Sequence, residues 1–149
     1  MKKIFLAFLL FFGVVYSHIP ACMPTSGMCI ITGYRVGGEA PAQSEYPAIV
    51  ETTDILNYYL KKNQKIKLVG YTDTTEVKNK KKLSYKRAEE LYELLKFYGF
   101  REDIEVELSG MADEKPRARN DTAVGKFLNR RVEIILKFDN VSNTEKPEN

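Results

Sequence analysis

One carboxylate and one guanidinium bracket a short polar loop in this chain: Asp73, after Gly70-Tyr71-Thr72, and Arg87, after Leu83-Ser84-Tyr85-Lys86. A carboxylate accepts hydrogen bonds from an ammonium, and an arginine fork grips a carboxylate through two parallel bonds, so the pair suits recognition of a small zwitterion. The plainer reading of the same residues is a turn aspartate and a solvated arginine. The elements on either side must do the positioning. Ile66 and Leu68 alternate with lysines before the loop, and Ala88, Leu91, Leu95 and Tyr98 recur at helical spacing after it. Asp73 is therefore expected at the carboxyl end of a strand and Arg87 in the first turn of a helix.

The other elements follow from the same patterns. Met28 to Tyr34 reads as a first strand, broken by Gly37-Gly38. Ser44 to Leu60 reads as a helix, with Ser44 as cap, Pro47 in the first turn where its missing N–H costs nothing, and Ile49, Leu56 and Leu60 on one face. Ile104 to Leu108 and Val132 to Phe138 alternate apolar with polar residues and read as strands with one buried face each. Gly110 to Gly125, rich in Gly, Pro, Asn and Asp, is a long excursion carrying a short helix from Thr122 to Leu128. Periodicity alone gives an α/β or α+β domain and leaves the strand order open.

Composition narrows the function. The chain has 149 residues, enough for one domain with accessory segments, and 23 basic against 20 acidic residues give a net charge of +3. Loss of Lys2 and Lys3 with a leader would leave only +1, which does not describe a general polyanion or nucleic-acid binder. Lys61, Lys62, Lys65, Lys67, Lys78, Lys80, Lys81 and Lys82 do cluster near the loop, either as a solvated surface or as a basic rim for anionic groups. The single histidine, His18, lies before the domain, both cysteines precede residue 30, and no phosphate loop or nucleophile elbow is present. The expectation is a binding protein, not an enzyme, with no metal and no cofactor.

The ends carry their own signals. Met1-Lys2-Lys3 followed by the apolar run Ile4 to Val15 reads as a secretory leader, too short for a comfortable membrane span. Ile19-Pro20-Ala21-Cys22 is similar to a lipobox, whose cysteine carries the lipid of a bacterial lipoprotein. The rival is ordinary cleavage near Ser17 or Ala21, leaving Cys22 and Cys29 to pair as a disulfide in an oxidising compartment. Lipidation at Cys22 is preferred and both stay open. The organisation expected is a signal peptide at 1–21, a short linker at 22–27, a domain at 28–138 and a disordered tail at 139–149.

Gly70-Tyr71-Thr72-Asp73, then Leu83-Ser84-Tyr85-Lys86-Arg87-Ala88, then Gly110-Met111-Ala112-Asp113-Glu114-Lys115-Pro116, then Asn120-Asp121-Thr122, Gly125 and Asn129-Arg130-Arg131-Val132-Glu133-Ile134 follow in this order. Together they resemble the successive signatures of the OmpA-like peptidoglycan-binding domain, from about Ile66 to Phe138. The resemblance implies a mixed α/β two-layer sandwich of order βαβαβ(α)β, with helices on one face of a four-stranded mixed sheet. It also implies a ligand, the free end of meso-diaminopimelate in an uncrosslinked peptidoglycan stem peptide. Asp73 would accept from its ammonium and Arg87 would hold its carboxylate, while Thr72 would support the loop and Arg130 and Arg131 would help shape the site. Asn79 is a further candidate. The location implied is the periplasmic face of the outer membrane, through a lipid anchor, or the periplasm.

The chain departs from the family pattern in two places. Between Asp73 and Leu83 it is one residue shorter than usual and lacks the usual glycine, and Asn79 is one place out of register. Gly33 to Ala42 replaces the family's polar ligand-lining loop, and no candidate residue is taken from it. A second function class therefore stands beside peptidoglycan binding: an envelope protein-interaction module that keeps the fold with weak or lost wall binding.

Overall fold

From the amino end, the elements are β1 (Cys22–Met23), β2 (Met28–Ile31), α1 (Tyr46–Tyr59), β3 (Lys65–Gly70), α2 (Lys80–Phe97), β4 (Glu105–Gly110), α3 (Ala123–Asn129) and β5 (Val132–Lys137). The structure, a computed structural model, describes residues 21–76 and 78–137. Most of the expected leader, Phe138 and the expected tail lie outside the described residues. Among the described residues no helix is long and apolar enough to cross a membrane.

The strands form one mixed sheet in the order β1-β2-β5-β3-β4, with β3 and β4 parallel and the other pairs antiparallel. The sheet has five strands among the described residues, which corrects the expected four. The extra strand comes from the segment expected to be a linker. A single 3-10 turn over Pro24–Ser26, closed by Gly27 at φ +74°, folds the chain back so that Cys22 faces Cys29 and Met23 faces Met28. A two-residue strand has no periodicity to read. Cys22 and Cys29, placed opposite each other, are joined as a disulfide. Of the two fates expected for Cys22 the structure has the disulfide, which occupies the sulfur that a lipid anchor would use.

Central position decides burial. Val132, Ile134 and Leu136 on β5, with Ile66 and Leu68 on β3, meet Ile49 and Leu56 of α1 and Ala88, Leu91 and Leu95 of α2 in one core. On edge strand β4, Val106 and Leu108 are only half-buried. Beside them, Lys65 pairs with Glu105 and Lys67 with Glu107, each at 2.7 Å. Lys80 and Lys81 pair with Asp113 and Glu114. Half of the lysine cluster is thus charge-compensated, which weakens the basic-rim reading.

Helix boundaries shift in informative ways. α1 is preceded by a 3-10 turn over Gln43–Glu45, and Ser44 Oγ donates to Glu45 Oε1 at 3.3 Å instead of capping. Pro47 falls in the first turn as expected. Thr122 caps α3 by accepting from Gly125 N at 3.0 Å. α2 starts at Lys80, after Asn79 turns the chain at φ 46°, so Arg87 lies two turns into the helix and not in its first turn. Lysines propagate a helix well, which is why the run Lys80 to Lys82 is helical although it looks like loop.

α2 can lie this close to the sheet because two paired glycines make room. Gly70 on β3 and Gly110 on β4 are register partners. A Cβ at Gly70 would fall 1.8 Å from Ser84 O, and one at Gly110 would fall 2.5 Å from Ser84 Oγ. The helix therefore rests on backbone at this point. Its buried stripe, Ser84, Arg87, Ala88, Leu91 and Leu95, carries an arginine inward beside the end of β3.

Candidate functional site

Asp73 lies just beyond β3 and has no exposed surface. Its Oδ1 accepts from Thr75 N at 2.6 Å and from the Thr75 hydroxyl, a local turn typical of aspartate. Its Oδ2 accepts from Arg130 Nη1. Burial by itself would push the carboxyl up, but the bonds from Thr75 and Arg130 together outweigh it and hold Asp73 below the usual aspartate range.

Arg87 is also fully buried. Its Nε donates to Gly38 O at 2.8 Å, Nη1 to Tyr71 O at 2.9 Å, and Nη2 to Arg35 O at 3.0 Å. The remaining two N–H groups go to Glu76: Nη1 to Oε2 at 2.9 Å and Nη2 to Oε1. All five donors of the guanidinium are used, and its face lies 5.2 Å from the centre of the buried Tyr34 ring. Burial pushes the Tyr34 phenol far up, so it stays protonated.

Glu76 completes the arrangement. Besides the fork, Oε1 accepts from Gly37 N at 2.8 Å and Oε2 from Asp73 N at 3.1 Å. One carboxylate thus meets two backbone N–H groups and two guanidinium N–H groups, out of contact with water. Two loops, Arg35–Gly38 and Asp73–Glu76, and helix α2 converge on it. Loop Gly33 to Ala42, from which the sequence suggested no contact, supplies part of the site through its backbone.

The other expected residues divide. Arg130 belongs to the cluster, with Nε donating to Tyr34 O at 2.7 Å and Nη1 to Asp73. Thr72 is buried beside Asp73; its N–H donates to Ala112 O at 2.9 Å, and its hydroxyl finds no partner among the described residues. Arg131 does not join Asp73 or Arg87. It lies 3.8 Å over the Tyr71 ring and donates to Glu133 Oε1 and Lys115 O, so it braces the excursion. Burial, reinforced by Glu133, pushes the Tyr71 phenol up to about 12. Asn79 is exposed at the start of α2, without a side-chain cap bond, and the structure does not bring it into the cluster. A groove of ≈ 640 Å³ lies elsewhere, over Met23, Met28, Ile30 and Leu128.

Glu76, Tyr34 and the carbonyls of Arg35 and Gly38 were not singled out from sequence. Arg87 could have been recognised as buried: three residues after Ser84 and four before Leu91, it sits on the helix's own inward stripe. Glu76 had only its place in the same loop as Asp73. Asn129, which accepts from Arg117 N and Ala118 N and donates to Ala118 O and Asn120 Oδ1, organises the excursion and leaves no periodic signal.

This fold, with an acid after the strand and an arginine on the following helix, defines a class. The OmpA family model matches residues 39–130, more than half of the chain, and the chain belongs to the OmpA family. Asp73, Glu76, Arg87 and Arg130 all fall within that stretch. Among curated proteins, the sodium-type flagellar protein MotY of Vibrio parahaemolyticus is 40% identical over 82 residues, which span 52% of this chain and 28% of MotY. Among solved structures, the C-terminal domain of Helicobacter pylori MotB is 26% identical, covers 74% of this chain and 85% of its own, and superposes with a TM-score of 0.65. The peptidoglycan-associated lipoprotein from Burkholderia pseudomallei shares the fold at 19% identity, over 71% of this chain and 88% of its own, with a TM-score of 0.61.

Proposed function

We propose that this protein binds peptidoglycan non-covalently, through the free end of diaminopimelate in uncrosslinked stem peptides, and so attaches an envelope assembly to the cell wall. The observation that carries the reading is the carboxylate held by Arg87 and the N–H groups of Gly37 and Asp73. These donors suit a ligand carboxylate. Asp73 lies next to them, and its carboxylate, shared with Arg130, has the charge to accept from an ammonium. Export is supported by the leader pattern of Lys2, Lys3 and Ile4 to Val15, and the Cys22–Cys29 disulfide suits an oxidising periplasm. Family membership supports a binding role over a catalytic one.

A second reading has an observation of its own. Asp73 and Arg87 both lie at 0% exposure with protein partners, which favours an interaction module that has lost wall binding. Isolated sacculi separate the two. The mature chain should sediment with sacculi, be released by free diaminopimelate, and lose retention in Asp73→Ala. A single-site affinity of about micromolar to millimolar is expected for a monomeric stem peptide. No sedimentation would favour the interaction module, and undiminished retention of a folded Asp73→Ala would remove the clamp from the proposal.

A further inference from the structure

Glu76 and Arg87 are not equally anchored. Three of the five guanidinium N–H groups are held by the carbonyls of Gly38, Tyr71 and Arg35, which do not depend on Glu76. Arg87 is thus preorganised without its acid. Glu76, by contrast, belongs to a surface loop in which Thr74, Thr75, Lys78 and Asn79 are exposed. Its carboxylate fills a receptor whose other walls would remain if it left.

We infer that Arg87, Gly37 N–H and Asp73 N–H form a carboxylate receptor for which Glu76 is a built-in competitor, and that a ligand carboxylate enters by exchanging with it. The nature of the ligand rests on the peptidoglycan reading; the receptor does not. Both end states of the exchange keep the buried guanidinium paired with a carboxylate, so neither carries the penalty of an unpaired buried charge. The closed form lowers apparent affinity by the fraction of molecules that are open, so removing the competitor restores the intrinsic affinity. Glu76 therefore sets both the threshold and the charge selectivity of the site.

The test uses Glu76→Ala in the mature chain, with Glu76→Gln as the second variant should the first not fold. Acetate, compared with chloride at equal ionic strength, should raise the melting temperature of the variant and leave the parent unchanged. A monomeric diaminopimelate stem peptide should bind the variant at least about tenfold more tightly than the parent by calorimetry. Adding Arg87→Lys to the variant should cancel both effects. Absence of acetate protection in a folded variant overturns the receptor. Parent binding that the variants do not improve overturns the competition and leaves peptidoglycan binding standing. Acetate protection with no stem-peptide binding by any form supports the receptor and rejects diaminopimelate as its ligand.

Discussion

Arg87 and Glu76 form a two-pronged ion pair with side chains 0% and 1% exposed. A pair this deep cannot be halved cheaply. Arg87→Ala leaves a carboxylate buried and several carbonyls unpaired, and should cost about 3–5 kcal/mol, a large part of a domain's usual ~5–15 kcal/mol. Arg87→Lys keeps the charge but loses the planar fork, and should recover only part of that loss. Urea unfolding of the three proteins measures it; equal midpoints would mean that the pair does not form in solution.

Asp73 gives the fold an acid limit. Its carboxyl is held below the ordinary aspartate value of 3.8, so the folded state binds the proton less readily than the unfolded chain. That stability is fully present above the unfolded value and is lost as pH falls through the lower, folded one. Melting temperatures of the parent should drop on acidification below about pH 3.8, with a smaller drop in Asp73→Asn. Parallel curves for the two proteins would remove Asp73 as the source.

The glycine seat under α2 should tolerate no side chain. Gly70→Ala sets a Cβ 1.8 Å from Ser84 O and should either abolish folding or cost several kcal/mol, of the order of ~1–3 for ordinary overpacking and more where backbone must move. Gly99→Ala is the control, since nothing lies within 4 Å and only its φ of +89° opposes the change. Circular dichroism melts should rank Gly70→Ala far below Gly99→Ala; the reverse order would refute the close approach.

Strand position should grade a common substitution. Ile134, fully buried on central β5, should not accept Asp, because an unpaired buried carboxylate is expelled at the cost of the fold. Leu108, half-buried on edge strand β4, should lose less. Glu107→Lys breaks surface pairs with Lys67 and, at 3.8 Å, Lys65, and should change stability by about 0–1 kcal/mol. If Leu108→Asp melted no higher than Ile134→Asp, β4 would be packed more deeply than its place at the edge allows.

What the sequence made legible follows how far each signal extends along the chain. β3, β4, β5 and the body of α2 repeat over several residues, and Thr122 announces α3 by its own chemistry, so these were readable. β1 is two residues long and meets β2 at two positions, Cys22 to Cys29 and Met23 to Met28, too few for a periodic signal. Asp73 and Arg87 stand out by type and position, and Arg130 through the family resemblance, but their partners do not. Glu76 reaches Arg87 across a loop whose path depends on the left-handed turn at Asn79 and on the packing of Gly37 against it, and no local pattern encodes that meeting. Arg131 shows the opposite error: adjacent to Arg130 in sequence but ahead of β5, it stacks on Tyr71 and donates to Glu133 and Lys115 instead of joining the cluster.

The disulfide between β1 and β2 gives the sheet a clasp that depends on redox conditions. Beyond that bond, β1 contributes two facing positions, Cys22 to Cys29 and Met23 to Met28, and Ile30 N donates to Ala21 O at 2.7 Å beside them. In reducing surroundings this strip should peel away, leaving a four-stranded sheet whose new border is β2, with Met28 and Ile30 along it. An uncovered border strand offers its free N–H and C=O groups to any neighbouring chain. Protein produced without an oxidant should therefore exchange the Ile30 amide rapidly and self-associate through that border, while the oxidised form stays monomeric at the same concentration. Completion of this sheet is then an event of the compartment as much as of the chain: the border is finished only where the thiols can be oxidised.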